Sequence, residues 1–211
     1  MHSNYSIYDA LYDEAQRKGW PGWGGKTRIA KGPDQVARIL EKPYVPSSGK
    51  VIELGCGEGH LCRLLAVRGY SVTGIDVSRK AIEWALEKEG DQKNITYVQG
   101  NLCHSDVLSG ECYDLVVDGN CLHCILGEDR PLFLENVQRL LAERGILFVS
   151  SLCSKSDHSV TLMHARQPYR HVASISSLLS ELENAKFQVL EWVVNERENY
   201  NHINVFARKS G

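Results

Sequence analysis

Along the chain, short apolar runs bounded by turn residues alternate with segments of helical period, which predicts βαβ units and a mostly parallel sheet. Lys50-Val51-Ile52-Glu53-Leu54 reads as the first strand, Leu61 to Arg68 as the helix returning across the sheet, and Ser71 to Ile75 as the second strand. Ser78 is placed to N-cap a helix from Arg79 to about Lys88, and Ile95 to Val98 and Tyr113 to Val117 make the third and fourth strands. Leu132, Phe133, Val137, Leu140 and Leu141 fall on one face of a helix from Arg130 to Leu141, after which Gly145 opens a strand from Ile146 to Ser150. Leu152 to Ala173 reads as irregular and Ser174 to Asn184 as a helix. Phe187 to Val194 and Ile203 to Arg208 read as strands joined by a polar loop, hence an antiparallel pair. Turn signals at Pro21-Gly22, Gly24-Gly25, Gly32-Pro33 and Pro43 to Ser48 mark the segment before Lys50 as a cap appended to the sheet.

The strongest chemical signal is Glu53-Leu54-Gly55-Cys56-Gly57-Glu58-Gly59, where the first strand turns into its helix. Glycines there permit a tight turn and leave room for a ligand to approach the backbone. Asp76 ends the second strand close to the offset of roughly 20 residues at which an acidic side chain meets a ribose in dinucleotide sites. The glycine spacing is G-x-G-x-G behind an acidic Glu53, with His60 where nicotinamide and flavin enzymes carry the last glycine or alanine of G-x-G-x-x-G/A.

On these residues the chain resembles the class I S-adenosylmethionine-dependent methyltransferases, from about Lys50 to Ser151 and more weakly to the end. The fold class expected is α/β: a Rossmann-like three-layer sandwich with a mostly parallel seven-stranded sheet, an antiparallel C-terminal strand pair and an N-terminal helical cap. It is read as one domain over 1–211, with a cap at 1–49, a cofactor-binding core at 50–151, an acceptor-side insertion at 152–173 and a C-terminal helix and hairpin at 174–211. The resemblance implies S-adenosyl-L-methionine as cofactor. Gly55, Cys56, Gly57 and Gly59 would pass under its methionine part, Glu53 would support the amino end, Asp76 would hold the ribose and Val77 would lie against adenine. In Gly100-Asn101-Leu102 the family commonly has an acidic residue where Asn101 stands, a departure that an amide can tolerate by accepting from the adenine amine. Asp118, with Asn120 following it, would line the methionine end and the acceptor pocket.

Methyl transfer needs positioning and exclusion of water more than a metal or covalent nucleophile. His123 is the titratable side chain the motif places for a general base, with a purely structural histidine as the other reading. Cys121, His123 and Cys124, with Cys103 and His104 on the preceding loop, lack a second C-x-x-C pair, so no metal site is expected. Tyr8, Tyr12, Trp20 and Trp23 suit a lid over the acceptor, or plain packing. Arg166 and Arg170 supply cations that could grip a carboxylate, or form a solvated face.

Composition narrows the partners. The chain has 211 residues, a formal net charge of −2 and a sequence pI near 6.4, with no dense run of Lys and Arg to track a phosphate backbone. A compact polar small molecule, enclosed between the cap and the insertion, is the expected acceptor, with nucleic acid and membrane excluded and a monomer or homodimer expected. Seven cysteines, an odd number in a chain too long to need disulfide staples, suit a reducing cytoplasm. A nicotinamide-dependent oxidoreductase and a non-catalytic cofactor-binding protein are the competing functions.

Overall fold

The computed structural model describes residues 2–211, so Met1 of the cap lies outside the described residues. The seven-stranded sheet has the order β3-β2-β1-β4-β5-β9-β8, and β6 and β7 form a separate two-stranded sheet. Two compact units emerge, one from Tyr5 to Asn101 and one from Leu102 to Gly211 with the residues up to Asn4.

The first unit contains α1 (Ser6–Arg17), α2 (Gly25–Leu40), β1 (Lys50–Leu54), α3 (His60–Val67), β2 (Ser71–Asp76), α4 (Arg79–Glu87) and β3 (Ile95–Gln99). Its strands pair in parallel, with Val51 opposite Val72 and Val72 opposite Ile95. Val51, Ile52, Leu54, Leu65, Ile75 and Ala85 are fully buried, as expected where helices cover a parallel sheet. Ser78 caps α4 as the sequence predicts, its side chain accepting from the Ala81 N–H.

The cap holds two helices, and α2 runs straight through Gly32-Pro33, which the sequence marks as a turn. A proline cannot bond the carbonyl four residues back, leaving that of Ile29 without its helical donor. The His60 Nε2–H donates to this carbonyl at 2.9 Å. The ring fits because residue 32 has no Cβ: one added there would stand 2.2 Å from His60 Nε2. A side chain from α3 thus repairs the break that the local sequence would impose on α2.

The second unit contains β4 (Tyr113–Gly119), a 3-10 turn (Leu122–Cys124), α5 (Asp129–Leu140), β5 (Leu141–Cys153), β6 (Val160–His164), β7 (Gln167–Val172), α6 (Ile175–Asn184), β8 (Phe187–Asn195) and β9 (Asn201–Lys209). β4 and β5 are parallel, β9 is antiparallel to β5, and β8 and β9 form the expected hairpin. The stretch from Leu152 to Ala173 is not irregular throughout. It carries the β6–β7 hairpin, closed by Ala165 and Arg166 at φ 47° and 66°. Two left-handed residues are what a tight hairpin turn of matching twist requires, but Ala-Arg lacks the Asn-Gly signature by which such turns are recognised.

Candidate functional site

Beyond β1 the chain enters a loop in which Gly55, Gly57 and Gly59 take φ of 61°, 56° and 72°. These left-handed conformations are costly for any residue with a Cβ. The Cys56 N–H donates to the Ile75 carbonyl (2.9 Å) and the Gly57 N–H to Asp76 Oδ2 (2.9 Å), so the loop is pinned to the carboxyl end of β2. A Cβ on Gly57 would lie 2.8 Å from the Tyr12 hydroxyl, and one on Gly59 would lie 2.2 Å from that of Tyr97. The close approach that the glycines permit is therefore made by two tyrosines of the protein itself.

Asp76 is buried, and its Oδ1 accepts from the Ser78 N–H at 2.9 Å. Burial raises its pKa to about 6, against the pull of the Ser78 and Gly57 N–H groups, with Asp9 and Glu58 adding to the rise. Glu53 is more extreme: burial pushes it to about 8, although its Oε2 accepts from the Cys62 N–H and thiol, both at 2.9 Å. A ligand bringing hydroxyl donors and positive charge suits two carboxyls whose ionisation is opposed by burial. Val77 and Asn101 are half-buried beside these elements.

In the cap, Tyr12 is 6% exposed and packs in a cluster with Ala15, Ala81 and Trp84, flanked by the half-buried Tyr8 and Trp23. The Tyr12 and Trp23 ring centroids are 4.8 Å apart. Burial raises the Tyr12 phenol well above its usual range. Trp20 is 41% exposed and takes no part in that cluster.

In the second unit, Asp118 ends β4 fully enclosed and accepts from the Cys121 N–H (2.5 Å) and the Leu122 N–H (3.1 Å), capping the 3-10 turn. Burial raises its pKa to about 7. Asn120 sits at φ 89°, a strained conformation of the kind that gathers at functional sites. Its Oδ1 accepts from the His202 Nε2–H at 2.6 Å. His123 is 4% exposed, and its Nδ1 accepts from the Leu152 N–H (3.4 Å), which places the ring proton on Nε2.

Arg130 is buried, bidentate to Glu181 (3.1 and 2.5 Å), and donates to the Leu122 and Ile125 carbonyls (2.8 and 2.9 Å), fixing the loop that bears His123. Leu102 is buried, its carbonyl accepting from the Asn136 amide. Arg166 is exposed at the β6–β7 turn. The Arg170 guanidinium lies 4.9 Å from the Tyr169 ring centroid, and its buried Nε has no hydrogen-bond partner among the described residues. The sequence carries no signal that Ser78, Glu58, Arg130 or His202 supports the site. Ser78 stands out there only as a helix cap, and His202 only as a hairpin residue.

A family model described as a methyltransferase domain matches residues 52–149. An uncharacterized methyltransferase of Schizosaccharomyces pombe is 30% identical over 100 residues, spanning 47% of this chain and 68% of that protein. The ribosomal protein L11 methyltransferase of Thermotoga neapolitana is 34% identical over 129 residues, 60% of this chain, and this chain covers about half of it, 46%. Among solved structures, the 1,6-didemethyltoxoflavin-N1-methyltransferase of Burkholderia thailandensis, with 1,6-didemethyltoxoflavin and S-adenosylhomocysteine bound, superposes with a TM-score of 0.76 at 18% identity, covering 98% of this chain and 88% of its own.

Proposed function

The chain belongs to the class I S-adenosylmethionine-dependent methyltransferases, and from that premise we propose that it methylates a small polar molecule. The observation that carries the cofactor half is Asp76, a buried carboxylate at the end of β2 held in place by the Gly57 and Ser78 N–H groups. Each of its oxygens accepts one backbone bond and keeps further acceptor capacity for ribose hydroxyls. Glu53, ionised only against the cost of burial, suits the ammonium end of the cofactor, and a positive charge brought beside it would favour the ionised form. Gly55, Cys56, Gly57, Gly59, Val77, Asn101, Leu102 and Asp118 complete the proposed cofactor set. When bound, the cofactor supplies an electrophilic methyl group on a sulfonium.

For the acceptor half we assign Asn120, His123, Arg166 and Arg170, and within the cap the aromatic residues Tyr8, Tyr12, Trp20 and Trp23. With its Nδ1 occupied by the Leu152 N–H, His123 engages an acceptor through Nε2–H, which holds and orients it. Service as a base would first require that the Leu152 contact be given up. The Arg170 Nε, buried and without a partner among the described residues, favours a carboxylate or similar anion on the acceptor. A weakly acidic chain without a basic tract supports a small molecule over a nucleic acid.

The experiment is transfer of labelled methyl from S-adenosylmethionine to fractions of a cell extract, separated into small molecules, proteins and nucleic acids. Label in the small-molecule fraction supports the reading, and label confined to protein or RNA overturns it. With the acceptor in hand, His123→Ala removes an orienting hydrogen bond and should lower kcat about 100-fold while leaving S-adenosylhomocysteine affinity within about threefold.

A further inference from the structure

Resting on the cofactor reading above, we propose that Asp9 is a positioning residue for cofactor retention: it latches α1 onto Ser78, the residue that also holds the ribose-binding carboxylate. Ser78 faces both ways. Its backbone N–H donates to Asp76 Oδ1 (2.9 Å) while its hydroxyl donates to Asp9 Oδ1 (2.5 Å). The same hydroxyl oxygen accepts from the Ala81 N–H (3.1 Å), and the Lys80 N–H gives Asp9 Oδ1 a further donor at 3.3 Å. Asp9 thus shares the N-terminal cap of α4 with Ser78, at a helix end where negative charge is favoured.

Tyr12 lies three residues further along α1, on the same face, and its hydroxyl closes over Gly57. The rest of the cap is tied to the glycine loop as well. The Trp23 N–H donates to Glu58 Oε2 at 3.1 Å, and a Cβ on Gly22 would lie 2.3 Å from Glu58 Oε1. The Lys88 ammonium donates to the Pro21 carbonyl. These anchors fall largely on Gly57, Glu58, Ser78 and Lys80, which bracket Asp76 along the chain.

Hydrogen bonds through Ser78 make the latch sensitive to the site. Ribose hydroxyls bonded to Asp76 hold that carboxylate on the Ser78 N–H, and so hold in place the residue whose hydroxyl grips Asp9. Linkage then requires that the closed latch tighten binding in return.

The test uses full-length protein with S-adenosylhomocysteine as probe and two readouts: its dissociation rate by rapid dilution, and trypsin cleavage after Arg17 and Lys18 with and without it. The wild type should be protected by the probe. Asp9→Ala should release the probe about 10-fold faster and lose the protection, and Asp9→Asn, which keeps an acceptor oxygen but no charge, should fall between, at about threefold. Circular dichroism checks the folding of both, and the milder amide variant carries the test should Asp9→Ala not fold. Wild-type dissociation and protection in the folded variants would overturn the latch while leaving the cofactor assignment standing. Failure of the wild type to bind the probe would overturn that assignment and the latch with it.

Discussion

Replacing Glu53 by Gln should change how stability depends on pH. In the folded protein burial raises Glu53 from an ordinary value of 4.5 to about 8. The native state therefore holds a proton between those values that the unfolded chain has released. The unfolded state binds fewer protons over that window, so the stability of the wild type falls as pH rises, by about 1.4 kcal/mol per pH unit for this group. Gln mimics the protonated carboxyl in shape and can still accept from the Cys62 N–H, but it does not titrate. Between pH 5 and pH 7.5 the variant should gain about 3 kcal/mol on the wild type. Asp76 and Asp118 also titrate with raised values, but they do so in both proteins and cancel in the difference. Urea denaturation of both proteins across that range, without ligand, measures it. A difference that stays constant with pH would refute the claim that burial of the Glu53 carboxyl outweighs the hydrogen bonds it accepts from Cys62.

Two further substitutions probe the scaffold. Gly57→Val places a branched side chain at φ 56° and against the Tyr12 hydroxyl. It should abolish S-adenosylhomocysteine binding by calorimetry and speed proteolysis of the cap while leaving the far-UV circular dichroism largely intact. Arg130→Ala leaves the Leu122 and Ile125 carbonyls and Glu181 without their shared partner. It should cost about 3 kcal/mol in chemical denaturation, since one side of a buried charge pair is removed.

What could be read from the sequence follows from which interactions are local. The short apolar runs of β1 and β2 and the helical period of α3 and α4 sit on strands and helices whose apolar residues are buried within their own unit. The polar loop between β8 and β9 reads as the hairpin it is. Where a distant residue decides the outcome, local reading fails. Gly32-Pro33 looks like a turn because the donor that rescues Ile29 is His60, far along the chain. Ala165-Arg166 closes a hairpin with residues that seldom adopt left-handed φ, so the sequence around β6 and β7 carries no turn signal. The candidate site divides the same way. Glycines and an acidic residue at fixed spacing after successive strands are visible, whereas Tyr12 over Gly57 and Asp9 on Ser78 depend on how α1 docks. The Leu152 contact that sets the His123 tautomer is likewise a tertiary event.

The central claim, that Asp76 anchors the ribose of S-adenosylmethionine, is tested most directly by calorimetric titration of the wild type and Asp76→Ala with S-adenosylhomocysteine, and of the wild type with NAD. The wild type should bind S-adenosylhomocysteine and not NAD. The variant should bind it at least about 10-fold more weakly, each hydrogen bond lost to a charged group costing about 1.5 to 3 kcal/mol. A folded Asp76→Ala protein with unchanged affinity, or a wild type that prefers NAD, would contradict it.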